Sequence, residues 1–167
     1  MRFTTALAAL LPFAMAQTNT TNAPLQRSYI SASQAQTVVT SAAANATATN
    51  ITQNIAVVDP SGFLVAFLRM DNAFLGSIDM AQKKARTAVL FSGLFSSADL
   101  YDQAQPGAPL YGIEQTNGGL VVFGGGVPIF LEGQLIGGVG VSGGSIEQDV
   151  QVARAGVLGL GASYAPS

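Results

Sequence analysis

The sequence predicts a single α+β domain in which helices flank a five-stranded antiparallel sheet. The first observation is a β-hairpin pattern, in which two apolar runs at residues 54–58 and 63–68 surround the turn sequence Asp59-Pro60-Ser61-Gly62. The second is a group of three further strand-like runs, at residues 120–123, 127–131 and 135–142. The third is the helical spacing of apolar residues before, between and after these strands. The order of elements therefore gives an antiparallel sheet with helices packed on it.

The first helix is predicted over residues 32–45, with Ser31 and Ser33 as alternative N-caps. The hairpin follows it, because Pro60 presets φ and Gly62 accepts a positive φ in the turn between the two strands.

The second helix is predicted over residues 78–91, with Ser77 as its N-cap. A long loop at residues 103–119 is rich in glycine and proline, and long loops are often functional. Pro128 indicates a strand start or a sheet edge. Ser145 is predicted to start a final helix that reaches about residue 158.

Residues 1–16 have the pattern of a secretory signal peptide, with Arg2, a short apolar run and the small-residue exit Ala14-Met15-Ala16. The run is shorter than the ~20 apolar residues that a membrane span needs. We therefore expect cleavage near Ala16, secretion of the mature chain and a flexible segment at residues 17–30. The alternative interpretation is a buried N-terminal helix.

Three Asn-x-Thr sequons agree with a secreted eukaryotic protein, since such sites accept N-glycans on the surface. The asparagines concerned are Asn19, Asn45 and Asn50. The alternative is that they arise by chance in a region rich in Thr and Asn.

The composition excludes several classes of site. The 167 residues include no cysteine and no histidine, which removes thiol catalysis, histidine general bases, the usual zinc sites and histidine ligation of haem. No metal site is predicted. A net charge of −2 with scattered basic residues also argues against nucleic acid or a membrane surface as partners.

Three charged residues form the candidate binding group. Arg69 and Asp71 lie where the second strand ends, and Lys84 lies about two turns into the next helix. Two cations could hold a carboxylate, and Lys84 beside Asp71 could perform acid–base catalysis if burial depressed the pKa of the lysine. The alternative is a structural salt bridge.

Backbone N–H groups at Gly125 and Gly126 could also face an anionic ligand. The alternative, which we favour, is that these glycines allow tight sheet packing. Glu147 and Asp149 open the last helix, where a favourable interaction with the helix N-terminus accounts for them.

The pattern of several segments resembles the GlcG/HbpS-like domain family. Residues 56–67 resemble its opening hairpin, and Arg69-Met70-Asp71 with Ala73 resembles the corner that follows, with Asn72 where glycine is usual. Gly125-Gly126-Val127-Pro128-Ile129 and residues 136–144 resemble its closing strands. The resemblance covers roughly residues 31–161, and the domain is expected to span residues 31–163.

This resemblance implies a profilin-like fold, homo-oligomers and, in some members, binding of haem or of corrinoid-related molecules. Haem is therefore a possible cofactor, but histidine ligation of its iron cannot apply to this chain.

Three functions remain open at this point. The first is a secreted, non-catalytic protein that binds a small ligand, either haem or another anionic planar molecule. The second is a metal-independent isomerase or cyclase of specialised metabolism that uses Lys84, Asp71 and Arg69. The third is a structural protein whose function is oligomerisation.

Overall fold

The computed structural model describes residues 27–166. The predicted signal peptide, residues 17–26 of the predicted flexible segment and the sequon at Asn19 lie outside the described residues. The elements in chain order are α1 (Ala32–Ala48), β1 (Asn54–Val58), β2 (Leu64–Arg69), α2 (Ser77–Leu90), β3 (Gly126–Leu131), β4 (Gln134–Ser142) and α3 (Ile146–Gly159). Two short 3₁₀ turns, Asp102–Ala104 and Ile113–Gln115, lie in the loop between α2 and β3.

The α+β class and the antiparallel sheet are confirmed. The four strands have the order β2-β1-β4-β3, and every neighbouring pair is antiparallel. β1 and β2 form the predicted hairpin, whereas β3 and β4 form a second hairpin through Glu132 and Gly133, both at positive φ. Helix α2 packs on one face of this sheet, and helices α1 and α3 pack together on the other.

The predicted fifth strand at residues 120–123 is absent from the sheet that the structure describes. The backbone of this segment bonds to side chains beside the sheet. The N–H of Val121 donates to Oγ1 of Thr87 on α2 at 3.1 Å, and the carbonyl of Phe123 accepts from the Ser97 hydroxyl at 2.7 Å. An apolar run alone does not distinguish such a segment from a strand.

Helix capping explains where α1 and α3 begin. Ser31, one of the two N-caps that the sequence offers for α1, and Ser145, the predicted start of the last helix, each form a capping box with the glutamine three residues later. The prediction of Ser77 as an N-cap is wrong. Ser77 is the first residue of α2, and Gly76 occupies the N-cap position. None of the helices described is both long and apolar enough to cross a bilayer.

The two faces of the sheet differ in the size of their side chains. The α1/α3 face holds larger apolar residues, whereas alanines of α2 face the small residues of β1 and β4. A Cβ atom added at Gly140 would collide with the backbone carbonyl of Ala81 in α2. The absence of a side chain at Gly140 therefore lets α2 lie directly against the sheet.

Candidate functional site

Lys84 is fully buried between α2 and the end of β4. Its Nζ donates to Oδ2 of Asp149 at 2.6 Å and to the carbonyl of Val141 at 3.0 Å. The ring of Phe123 covers the ammonium, with Nζ 4.8 Å from the ring centroid. The lysine therefore joins α2 to β4 and α3 and offers no atom to solvent.

Asp149 supplies the matching carboxylate from the first turn of α3. Its Oδ1 accepts from Nε2 of Gln53 at 2.8 Å and from the backbone N–H of Gly144 at 2.9 Å. Both carboxylate oxygens thus have charged or N–H donors, as a buried carboxylate requires. The network connects α2, α3, the end of β4 and the residue that precedes β1.

Burial dominates the pKa values of both partners. Desolvation lowers the pKa of Lys84 below its ordinary 10.5, although the hydrogen bond and charge of Asp149 act to raise it. Desolvation raises the pKa of Asp149 above its ordinary 3.8, although Lys84 and the nearby backbone N–H groups act to lower it. Both shifts favour neutral side chains, so the attraction within the pair does not fully offset the loss of hydration.

The pKa shifts of Asp149 and Lys84 predict opposite dependences of folding stability on pH. Between pH 3.8 and the raised pKa of Asp149, the folded state keeps a proton that the unfolded chain has released, so stability falls as pH rises. Between the lowered pKa of Lys84 and 10.5, the unfolded chain holds the extra proton, so stability rises with pH.

The reference for this measurement is the double variant Lys84→Met/Asp149→Leu, which lacks both titrating groups. In urea unfolding across the pH range, we expect the stability of the wild type relative to this variant to pass through a minimum at intermediate pH. A difference that is flat across pH would show that these two groups do not titrate as described.

The predicted group of Arg69, Asp71 and Lys84 is not brought together. Arg69 and Asp71 are exposed where β2 ends, and neither forms a salt bridge within the part of the chain that the structure describes. Lys84 instead extends into the interior, where Asp149 is its partner. Whether Arg69 and Asp71 bind a ligand stays a prediction.

The predicted binding glycines lie beside the buried lysine. A Cβ atom at Gly125 would lie 2.5 Å from the carbonyl of Val141 and 2.7 Å from Nζ of Lys84. At Gly126 it would collide with the carbonyl of Lys84. Both glycines are thus required by close packing around the Lys84–Asp149 pair, and their role toward an anionic ligand stays a prediction.

An open groove of about 600 Å³ runs along the outer side of α3. The floor of the groove is formed by residues at intervals of four, which lie on one face of the helix. The residues of this repeat are Ile146, Val150, Arg154 and Leu158. The remaining lining residues are Asn45, Glu147, Gln151, Ala155 and Tyr164. We call this surface the α3 groove.

Opposite charges lie near the two ends of the α3 groove. The guanidinium of Arg154 stacks 4.9 Å from the ring centroid of Tyr164. Glu147 lies near the start of the helix, where its own backbone N–H and the Ser145 hydroxyl lower the pKa of its carboxyl. The Arg154 end therefore suits a carboxylate, whereas the apolar floor suits a flat hydrocarbon surface.

Two other cavities are less suited to such a ligand. One of about 460 Å³ lies between the β1–β2 turn and the end of α2, and its walls include Arg27, Ser61 and Gln134. Another of about 380 Å³ lies where β3 meets the C-terminal residues, and it includes Glu132 but no cation. Only the α3 groove, among these three cavities, combines a mainly apolar wall with a guanidinium.

The two described sequons differ in their surroundings. Asn50 is exposed just after α1, at a φ of 56°. Asn45 lies within α1 and is half-buried, and its Oδ1 accepts from Gln151 at 3.5 Å. The occupancy of either site by a glycan stays a prediction.

The sequence did not reveal the α3 groove or the partner of Lys84. The four-residue spacing from Ile146 to Leu158 was a signal for a second apolar face on α3. Nothing local relates Arg154 to Tyr164, because Tyr164 follows the end of the helix. The position of Asp149 at the N-terminus of α3 already explained the residue in the sequence. Its contact with Lys84 is visible only in the folded structure.

Comparisons with known proteins point to one family. The family "Haem degrading protein HbpS-like" matches residues 30–158. A 15.0 kDa protein encoded in the dhaT-dhaS intergenic region of Citrobacter freundii is 45% identical over 101 residues, which is 60% of this chain and 70% of that protein.

Two crystal structures show the same fold. The Klebsiella pneumoniae protein ORFY has a TM-score of 0.79 and 34% identity, and the match covers 84% of this chain and 96% of ORFY. PduOC in complex with haem has a TM-score of 0.76 and 35% identity, with 81% of this chain and 98% of PduOC covered.

Proposed function

Because the chain belongs to the "Haem degrading protein HbpS-like" family, we propose that it binds a small planar molecule that carries a carboxylate, such as haem, in the α3 groove. The observation that carries this proposal is Arg154 stacked on Tyr164 in a groove whose wall is mainly apolar. The haem complex of the related PduOC makes haem the first ligand to test.

The groove offers a ligand two kinds of contact. Ile146, Val150 and Leu158 present hydrocarbon surface, and burying it against a flat ring system contributes about 25 cal/mol per Å². Arg154 can donate two parallel N–H bonds to a carboxylate. Glu147 at the other end repels an anion, so the ligand orients with its carboxylate toward Arg154.

The donor set of the groove fits haem without histidine. Tyr164 carries a phenol oxygen, which is a known axial ligand type for haem iron. Bound haem would supply iron-centred redox chemistry, and the groove residues would hold its rings and a propionate. A metal-free planar carboxylate would use the same residues except that no iron ligand is needed.

The proposal predicts that Arg154→Ala weakens haem binding by about 10-fold to 100-fold. A charge-assisted hydrogen bond contributes about 1.5–3 kcal/mol, and every 1.4 kcal/mol is a factor of ten in affinity. Titration of the purified chain with haem, followed by its visible absorbance, measures the dissociation constant.

Arg69→Ala is the matched control, since it removes an exposed arginine outside the groove. It is expected to leave the affinity unchanged. Weaker binding in Arg69→Ala but not in Arg154→Ala would move the site to the end of β2. A wild-type chain that shows no saturable spectral change would rule out haem as the ligand.

We do not extend the proposal to a metal-independent isomerase or cyclase. That hypothesis placed Lys84 beside Asp71 as an acid–base pair, whereas Lys84 is bonded to Asp149 inside the domain. With no solvent-facing lysine–aspartate pair at this position, no specific observation favours the reaction.

We also propose that the chain is secreted after cleavage near Ala16 and carries glycans on its sequons. The pattern of residues 1–16 and the exposure of Asn50 support this proposal. N-terminal sequencing of protein recovered from the medium tests it, with Gln17 as the expected first residue; an uncleaved Met1 would contradict it.

A further inference from the structure

Asn45 belongs to a glycosylation sequon and also forms part of the wall of the α3 groove. It lies near the end of α1 and is half-buried, whereas Thr47, which completes the sequon, is exposed. The Oδ1 of Asn45 accepts a hydrogen bond from Nε2 of Gln151 on α3, at 3.5 Å. The side-chain amide that would carry a glycan therefore faces α3.

This position is close to the charged end of the groove. Gln151 and Arg154 have the i, i+3 spacing on α3, and side chains so spaced are neighbours on a helix surface, with about 5–6 Å between their Cβ atoms. The asparagine of the sequon thus lies beside the guanidinium to which the proposed ligand binds.

We propose that a glycan on Asn45 lies over the α3 groove and excludes the ligand from it, an inference that rests on the proposed ligand site. In N-glycosylation, the bond from Nδ2 to the anomeric carbon of N-acetylglucosamine forms as the bond from that carbon to a lipid diphosphate breaks, and Nδ2 releases one proton. The modified amide keeps its Oδ1. The hydrogen bond from Gln151 is therefore retained, and it holds the first sugar over α3.

The groove offers the sugar a surface on which to pack. Pyranose rings have apolar C–H faces, and burying such faces against Val150 and the ring of Tyr164 is favourable. Because the glycan is tethered to the groove wall, its effective concentration there is on the order of mM, so weak contacts suffice to keep the groove covered. A glycan is also bulky, and a flat ring system cannot occupy the same space.

The test compares the wild type with Thr47→Ala, each secreted as the full chain by a eukaryotic host. The substitution removes the sequon but keeps Asn45, and alanine is the better helix former at this exposed position. Peptide mass spectrometry should find a glycan on Asn45 in the wild type only. Haem titration should give Thr47→Ala an affinity at least about tenfold higher than that of the wild type.

Thr52→Ala is the matched control, because it removes the sequon of Asn50 instead. Asn50 is exposed after the end of α1 and is not among the residues that line the groove. A glycan at this position extends into solvent. Thr52→Ala should therefore bind haem with the affinity of the wild type.

Chemical labelling of Arg154 detects the cover on the groove without any ligand. Phenylglyoxal modifies accessible arginines, so Arg154 should react several-fold more slowly in the wild type than in Thr47→Ala. Arg69 is exposed outside the groove and should react equally in both proteins.

The two readouts separate this inference from the proposed function. Slower labelling of Arg154 in the wild type, with no haem binding by either protein, would support the glycan cover and remove haem as the ligand. An unmodified Asn45 in the wild type, equal labelling of Arg154 in both proteins, or haem binding of equal affinity in both would overturn the proposal.

Discussion

Replacing Lys84 with methionine is expected to lower the free energy of unfolding by about 3–5 kcal/mol, the range for removing one partner of a buried ion pair. The methionine has nearly the same length, so packing changes little. The loss arises because Asp149 stays buried without its cation, and only Gln53 and the N–H of Gly144 still donate to it.

Lys83→Met is the control for this prediction. Lys83 is the neighbouring lysine of α2, but its salt bridge with Asp79 lies at the surface, with 30% and 69% of the two side chains exposed. Such a pair contributes about 0.3–0.5 kcal/mol. Urea unfolding of both variants measures the two changes in the free energy of unfolding. Equal changes would mean that the Lys84–Asp149 pair does not hold α2, β4 and α3 together.

The second large effect is expected for Gly140→Ala, which should lower the free energy of unfolding by about 3 kcal/mol or more. The added methyl would meet the backbone of α2 at Ala81 and Ala85. Backbone atoms cannot rotate away as a side chain can, so α2 would have to lift from the sheet. Thermal unfolding monitored by circular dichroism measures the loss.

Gly76→Ala is the corresponding control. Gly76 has helical dihedral angles, and a methyl there would meet no atom within 4 Å. Its substitution should change stability by less than about 1 kcal/mol. A Gly140→Ala variant as stable as Gly76→Ala would mean that α2 does not lie as close to β4 as described.

Local signals predicted most of the fold because the responsible interactions are themselves local. The turn at Asp59-Pro60-Ser61-Gly62 and the helix starts at Ser31 and Ser145 each depend on residues within a few positions. The prediction of a strand at residues 120–123 is wrong because the interactions of this segment are not local. Its partners, Thr87 and Ser97, are distant in sequence, and only the packed structure brings them to its backbone.

Separation along the chain also limited what the sequence revealed of the site. Lys84 was recognisable as an unusual charge, but its partner lies 65 residues away on another helix. Arg69 and Asp71 are close to each other in sequence, which suggested that they share a site with Lys84. In the fold they are exposed, whereas Lys84 is buried against Asp149. Tyr164 carried no signal of its own, since its significance depends on where the chain returns after α3.

Binding of a planar carboxylate along α3 is tested most directly by NMR mapping. The chain would be titrated with protoporphyrin IX, an iron-free planar carboxylate, while its backbone amide resonances are followed. We predict that shifts concentrate at residues 146–158 and at Tyr164. Shifts confined to the end of β2 around Arg69, or no shifts at all, would contradict the claim.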